Sequence, residues 1–398
     1  MSRSRIVFFT ISSLLVIPML AGTFVLAAER AHSRAAGAKE DDSFYKYLAV
    51  FSDVFTLVRD SYVDEPNSDE LMKGALEGVT DALDPFSVYV PAAEVDTFRK
   101  AHAAVKTASG LDLIRSHGTA YVVAVEKGSS AAKAGVQVGD LVAKLGGKPT
   151  RTMPLWELEE ILAGTRGPKV EMELIRLAAP VQVSFELKPF HPPAVSLEQI
   201  EGAPVLHVPS FDADTAEQAR QALAHNAAQV HGKLVIDLRG VSSGDPAAAY
   251  AVAKLFTTGE LGGLRQRKQR LQSFASGEPP AWKGRIVVLV DLGTLGPGEV
   301  LATVLRQKAG AELVGERTYG HAGREGVAEL SGGGRLFFTD AFYTGPDDKP
   351  INEGLKPDLL VGGRNRAYVE RDVPIEDLIL RRGIHRLLEE PEAAKKAA

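Results

Sequence analysis

Two apolar runs without alternation constrain the fold of this chain more than anything else in it. Leu234–Leu238 (LVIDL) and Ile286–Val290 (IVVLV) carry aliphatic residues at successive positions. Both faces of each strand must then be covered, which is the pattern of a parallel sheet flanked by helices. The segments around them agree. Pro204–Val208 reads as an earlier strand. Asp214–Gln229 reads as a helix with Thr215 as its cap and Glu217 near its start. Glu299–Lys308 is a helix after the second run, and Leu313 and Val314 begin another strand. Leu336–Phe338 and the segment around Tyr343 are expected as edge strands. The fold class expected is an α/β core over residues 189–364.

Upstream, residues 104–188 change character. AYVVAVEKGSSAAKAGVQVGDLVAKLGGKPT reads strand, short helix, turn, strand, with Gly135, Gly139 and Gly146–Gly147 at the turns. Leu155–Leu162 is expected as a helix and Val170–Leu177 as a strand. Residues 44–103 form an amino-terminal helical region. Leu48, Phe51, Phe55 and Val58 share one helical face, and Leu71, Ala75, Leu76 and Val79 another. Asp84–Pro85 stops the second helix. Residues 365–398 hold a carboxyl-terminal helix, from after Asp372 to about Leu388, and a tail.

Ile6–Ala28 is a 23-residue run without charge, preceded by Arg3 and Arg5. That length suffices to cross a bilayer, which takes about 20 residues. Residues 1–28 are therefore expected to be a cleaved export signal or a membrane anchor, with a cytosolic amino terminus. The competing reading is a buried soluble helix. Residues 29–43 are polar and small, as in a linker. The formal charge is −5, and removal of 1–28 takes away two positive charges and no negative ones. An acidic balance argues against a nucleic-acid partner. The chain has no cysteine, which excludes thiol nucleophiles, disulfides and cysteine-held metals. The nine histidines form no His-Glu-x-x-His pattern and no Gly-x-x-x-x-Gly-Lys loop is present, so no metal or cofactor is expected. Arg265–Arg270 carries four positive charges in six residues and reads as a solvated loop.

Four segments carry a resemblance. YVDEPNSDELMKGALEGVTDALDPFSVYV (62–90), GSSAAKAGVQVGDLVAKLGGKPT (128–150), ERTYGHAG (316–323) and NEGLKPD (352–358) together resemble the carboxyl-terminal processing proteases. These are S41 serine peptidases with a PDZ domain, and the resemblance spans roughly residues 45–362. It implies an α/β protease-like core with an inserted or preceding PDZ domain at 104–188; with the apolar run 6–28, the location expected is the bacterial cell envelope, periplasmic or otherwise extracytoplasmic. It also implies a Ser–Lys dyad, in which the serine stands three residues before a glutamate and the lysine 25 residues later. Glu299 matches the glutamate, which puts Gly296 at the serine, His321 at the lysine and Glu325 at the glutamine that orients it. Glycine has no Oγ to attack a carbonyl, and no base compensates for that. His321 is a base in type, and Glu325 is placed to hold its tautomer. Thr294 is the nearest hydroxyl in sequence and is expected to point elsewhere.

The same resemblance places an oxyanion loop at Gly240–Gly244. Asp237, Arg239 and Gly244 match it, while Ser243 replaces a glycine. Backbone amides survive such a change, so Ser242, Ser243 and Gly244 remain a candidate anion nest. A PDZ domain takes a peptide as an added strand. Gly110, Leu111, Asp112 and Leu113 match its carboxylate loop and binding strand, with Trp156 and Ile161 expected on the opposite wall. Two classes of function follow. One is a non-catalytic homologue that binds protein C-termini or unfolded peptide as adaptor or scaffold, with a homo-oligomer or an active homologue as partner. The other is a peptidase with a non-standard site; a structural subunit of an envelope complex is a third reading.

Overall fold

The computed structural model describes residues 44–230, 232–362 and 374–389. The apolar run Ile6–Ala28 and the linker 29–43 lie outside the described residues. Among the described residues, no helix is long and apolar enough to cross a membrane.

The amino-terminal unit, residues 1–75, is described from residue 44 and is two helical segments joined by a non-helical stretch at 62–67. Residues 44–61 form α1, whose Leu48 and Phe51 are exposed. Asn67 starts α2 (Ser68–Asp81), its Oδ1 accepting from the amides of Asp69 and Glu70. Val79 was expected on the apolar side of this helix, but it is 57% exposed and Thr80 is buried instead. Asp84 then accepts from the amides of Phe86 and Ser87, a local turn that sets Phe86 in place ahead of β1 (Val88–Val90).

The helical region expected over 44–103 continues past Asp84–Pro85, where no separate element is marked by the sequence reading. The structure has α3 (Val95–Ser109), burying Val95, Phe98, Ala101 and Val105 at three- and four-residue steps. Gly110 ends it in a left-handed conformation with φ 74°, and a Cβ there would lie 2.1 Å from that of Ser129.

Six strands and two helices follow. They are β2 (Leu111–Ser116), β3 (Thr119–Val125), α4 (Ser130–Lys133), β4 (Leu141–Leu145), β5 (Lys148–Pro149), α5 (Leu155–Leu162), β6 (Lys169–Arg176) and β7 (Ala179–Glu186). The antiparallel order is β2-β3-β4-β6-β7, with β5 beside β4, so β2 is an edge strand. α5 packs on both α3 and β2. Its apolar residues join Leu111, Val122, Val142 and Met172 in one core.

The mostly parallel sheet contains β8 (Ser196–Ile200), β9 (Ala203–His207), β10 (Lys233–Asp237), β13 (Arg285–Val290), β14 (Glu312–Gly315) and β17 (Leu359–Leu360). Its order is β17-β14-β13-β10-β9-β8, parallel from β9 through β17, with β8 antiparallel at the edge. The unalternated runs are covered on both faces, as expected. Ile286, Val288 and Val290 enter one core with α6 (Thr215–His225), α7 (Pro246–Ala253) and α8 (Pro297–Ala309). Val287 and Leu289 enter another with α9 (Ile375–Leu388). Each fully buried aliphatic side chain of this kind is worth about 1.5–3 kcal/mol.

A second sheet of the core joins β1, β11 (Gly259–Gln266), β12 (Gln269–Ser276), β15 (Gly323–Glu329) and β16 (Arg335–Thr344). The expected edge strands around Leu336 and Tyr343 are one ten-residue strand at its hub, since β16 pairs with β1, β11 and β15. The basic run lies in the β11–β12 hairpin, where Arg265 and Arg270 both pair with Asp348. Thr215 does not cap α6 from outside. It is the first helical residue, and its hydroxyl accepts from the Asp212 amide.

Candidate functional site

The site begins where β13 meets α8. Asp291 accepts from the amides of Gly240 and Gly293, which ties this turn to the loop after β10. Thr294 is fully buried and its Oγ1 donates to the carbonyl of Leu238 at 2.8 Å, so it points away from the cleft as expected. Gly296 follows with φ 55° and ψ −108°. That is the strained geometry of a strand-to-helix elbow, which holds a side chain out over the sheet. A Cβ built on Gly296 would meet nothing nearer than the His321 carbonyl, at 3.8 Å. The backbone thus has the posture of a nucleophile elbow and leaves its side-chain space empty.

Glu299 holds this turn against the segment before β15. Its Oε2 accepts from the amides of Gly296 and His321 at 3.1 and 2.9 Å. Its Oε1 accepts from Thr318 Oγ1 and the Gly320 amide. Burial pushes its pKa up to about 7, against the pull of these four donors. Asp237, at the end of β10, goes the other way. Burial disfavours its charge, yet Arg239 and His207 outweigh that and hold it below the usual carboxylate range.

The His321 ring stacks on Phe86 with centroids 3.9 Å apart and meets Phe342 edge-on. Its Nε2 lies 3.4 Å from Thr339 Oγ1 on β16. Burial lowers its pKa to about 4, so it is neutral near pH 7 and a weak base. Glu325 does not orient it. The Glu325 carboxylate instead meets His102 Nε2 at 3.1 Å, and His102 Nδ1 meets Glu159 at 2.6 Å. One histidine of α3 therefore bridges a carboxylate of α5 and one of β15. Burial pulls the His102 pKa down, but the two carboxylates more than offset it and raise it to about 10.

The two histidines are expected to titrate far apart, which two-dimensional NMR of the imidazole protons would show. His321 should stay neutral down to about pH 4 and His102 protonated up to about pH 10. The linkage signs differ. The His102 bridge contributes stability below the unfolded value of 6.5, and that is lost as pH rises toward 10. Burial of neutral His321 costs stability as pH falls from 6.5 toward 4. Two ordinary titrations near pH 6.5 would contradict both environments.

A cavity of about 250 Å³ joins these groups to the β2 edge of the β2–β7 sheet. Leu111, Asp112 and Leu113 of β2 line it together with Leu155, Glu159 and Leu162 of α5 and with Gly296, His321, Glu325 and Thr339. The α5 wall differs from the one expected. Leu155, Glu159 and Leu162 share one face at four- and three-residue steps. Trp156 and Ile161 stand on other faces of the helix and are buried in the core of that sheet. Gly110 serves as the helix cap and is not part of the lining. Ser242 and Gly244 border the cavity, and the hydroxyls beside the expected nest are taken up by a carboxyl of the chain. The hydroxyls of Ser242 and Ser243 donate to Glu126, whose pKa burial raises. Lys106 of α3 crosses the gap, donating to the Ser242 carbonyl at 3.2 Å and meeting Asp112 at 2.9 Å.

Three family models match the chain: Peptidase family S41 over residues 203–361, a PDZ domain over 121–176, and the N-terminal domain of the activating protease CtpB over 19–94. A carboxy-terminal-processing protease of Bartonella bacilliformis is 26% identical over 362 residues, covering 87% of this chain and 82% of its own. The carboxy-terminal processing protease CtpA of Bacillus subtilis is 24% identical over 372 residues, covering 90% and 78%. The chain belongs to the carboxyl-terminal processing protease family. Its fold matches that of a photosystem II D1 C-terminal processing protease with a TM-score of 0.64 at 21% identity, over 84% of this chain and 96% of the other. Helix α5 thus lies within the matched PDZ domain, and the β13–α8 elbow within the matched S41 core.

Sequence reasoning missed His102, Lys106, Glu126, Glu159, Thr339 and Phe86. A signal existed for the first two, because the apolar spacing of Val95, Phe98, Ala101 and Val105 marks a helix that carries them on its flank. No local pattern marks Thr339 or Glu126.

Proposed function

We propose that this member of the processing-protease family holds extended polypeptide in its cleft without cutting it, as an adaptor or scaffold in the bacterial cell envelope. The observation that carries this reading is the elbow at Gly296, whose strained backbone aims at the cavity and bears no nucleophile. The surroundings support it. The base position is a neutral histidine stacked on Phe86, and Glu325 is committed to His102. The groove itself keeps its parts: an edge strand, a facing helix and an apolar floor at Leu111, Leu113, Leu155 and Leu162. The envelope location rests on the apolar run Ile6–Ala28 after Arg3 and Arg5.

One contact favours a second reading. Thr339 Oγ1 lies 3.4 Å from His321 Nε2, which pairs a hydroxyl with a base as in an unorthodox hydrolase. Against it, Thr339 stands on a strand and not on the elbow, and burial makes His321 a poor proton acceptor. The full chain incubated with an unfolded protein decides between them. Retention of the substrate without fragments is expected. Cleavage that persists through repurification and disappears in both His321→Ala and Thr339→Ala would establish the hydrolase instead.

A further inference from the structure

The end of the groove where a PDZ domain receives a ligand's terminal carboxylate is built here around a carboxylate of the chain's own. Asp112 lies at the start of edge strand β2, where the register with β3 shifts between Asp112 and Leu113. Its side chain is only 14% exposed and lines the cavity. Lys106 pairs with its buried Oδ2 at 2.9 Å. The same ammonium is held from behind by the Ser242 carbonyl. The cation that would receive a ligand carboxylate is thus already neutralised.

The rest of the cavity offers no replacement. Its charged lining is Asp112, Glu159 and Glu325 against Lys106 and His102, and His102 is shared between the two glutamates. Glu126 adds a further carboxylate behind Ser242 and Ser243. A ligand carboxylate entering this end would meet like charge at close range, which disfavours its binding. An uncharged peptide group or a carboxamide at this end avoids that repulsion.

We infer that Asp112 makes this groove select an extended segment that continues past it, or ends in an uncharged group, over a chain end with a free carboxylate. This rests on the peptide-holding reading above and narrows it: the ligand is an internal, unfolded stretch with apolar side chains at alternate positions, and Asp112 is the specificity-determining residue.

Two fluorescent peptides of one apolar sequence, one ending in a carboxylate and one in a carboxamide, test this with the full chain by anisotropy. The carboxamide is expected to bind about tenfold tighter or more. In Asp112→Asn, which keeps the size and removes the charge, the preference should shrink to within about twofold, through a gain for the carboxylate form. Equal or tighter binding of the carboxylate by the unmodified protein would overturn the inference, as would an unchanged preference in Asp112→Asn. Failure of both peptides to bind either protein would instead overturn the peptide-holding reading, and the inference with it.

Discussion

Glu299→Gln is expected to lower folding stability by about 3 kcal/mol or more, seen as a fall in Tm of roughly 6–12 °C. The reason lies in what faces the carboxyl. Every partner is a donor: the amides of Gly296, Gly320 and His321, and the hydroxyl of Thr318. A glutamine must turn its own NH₂ toward two of them, so two buried bonds are lost and donors face donors. The effect should be read by thermal unfolding at pH 8, where the carboxyl, with its pKa near 7, is ionised. The pH dependence gives a second check. A folded value raised from 4.5 to about 7 means that this group's contribution declines as pH rises through that window. The glutamine variant lacks that slope. An unchanged Tm would show that Glu299 does not hold the elbow and the His321 segment together.

Gly244→Ala is expected to be comparably damaging, by about 3 kcal/mol or more, and to abolish peptide capture. Gly244 has φ 109°, a region that side chains avoid, and an added Cβ would lie 2.2 Å from the Phe211 carbonyl oxygen. That carbonyl accepts from the Asp245 amide, and the Phe211 amide donates to Ser243, so the methyl has no soft neighbour to displace. Relief requires moving the 240–244 loop. That loop carries the Ser242 carbonyl holding Lys106 and the hydroxyls on Glu126, so the groove end moves with it. Urea unfolding and peptide anisotropy measure the two effects. Wild-type stability with lost binding would separate the loop's role in the groove from its role in the fold.

Much of this was legible along the chain. LVIDL and IVVLV could only be strands covered on both faces, and they carry alternate residues into two different cores. The elbow was legible too, because a glycine-rich turn between such a strand and a helix beginning Pro297 and Glu299 admits few conformations. Gly296 lacks a nucleophile by identity alone, whatever surrounds it. The misreadings arose where a residue's partner is remote. Glu325 was expected to serve His321, four positions away, and serves His102 instead. Trp156 and Ile161 are expected on the groove wall from sequence, but α5 packs on α3, remote in the chain, as well as on β2, and turns Leu155, Glu159 and Leu162 to the cavity.

The sequence by itself determined the family, the α/β and PDZ architecture and the missing side chain at 296, because each depends on residue identity or on periodicity within a short window. Only the tertiary structure decided the electrostatics of the cleft. Asp112, Lys106, His102, Glu159 and Glu325 come from β2, α3, α5 and β15. Their interactions fall off over a few ångströms in space and are indifferent to distance along the chain.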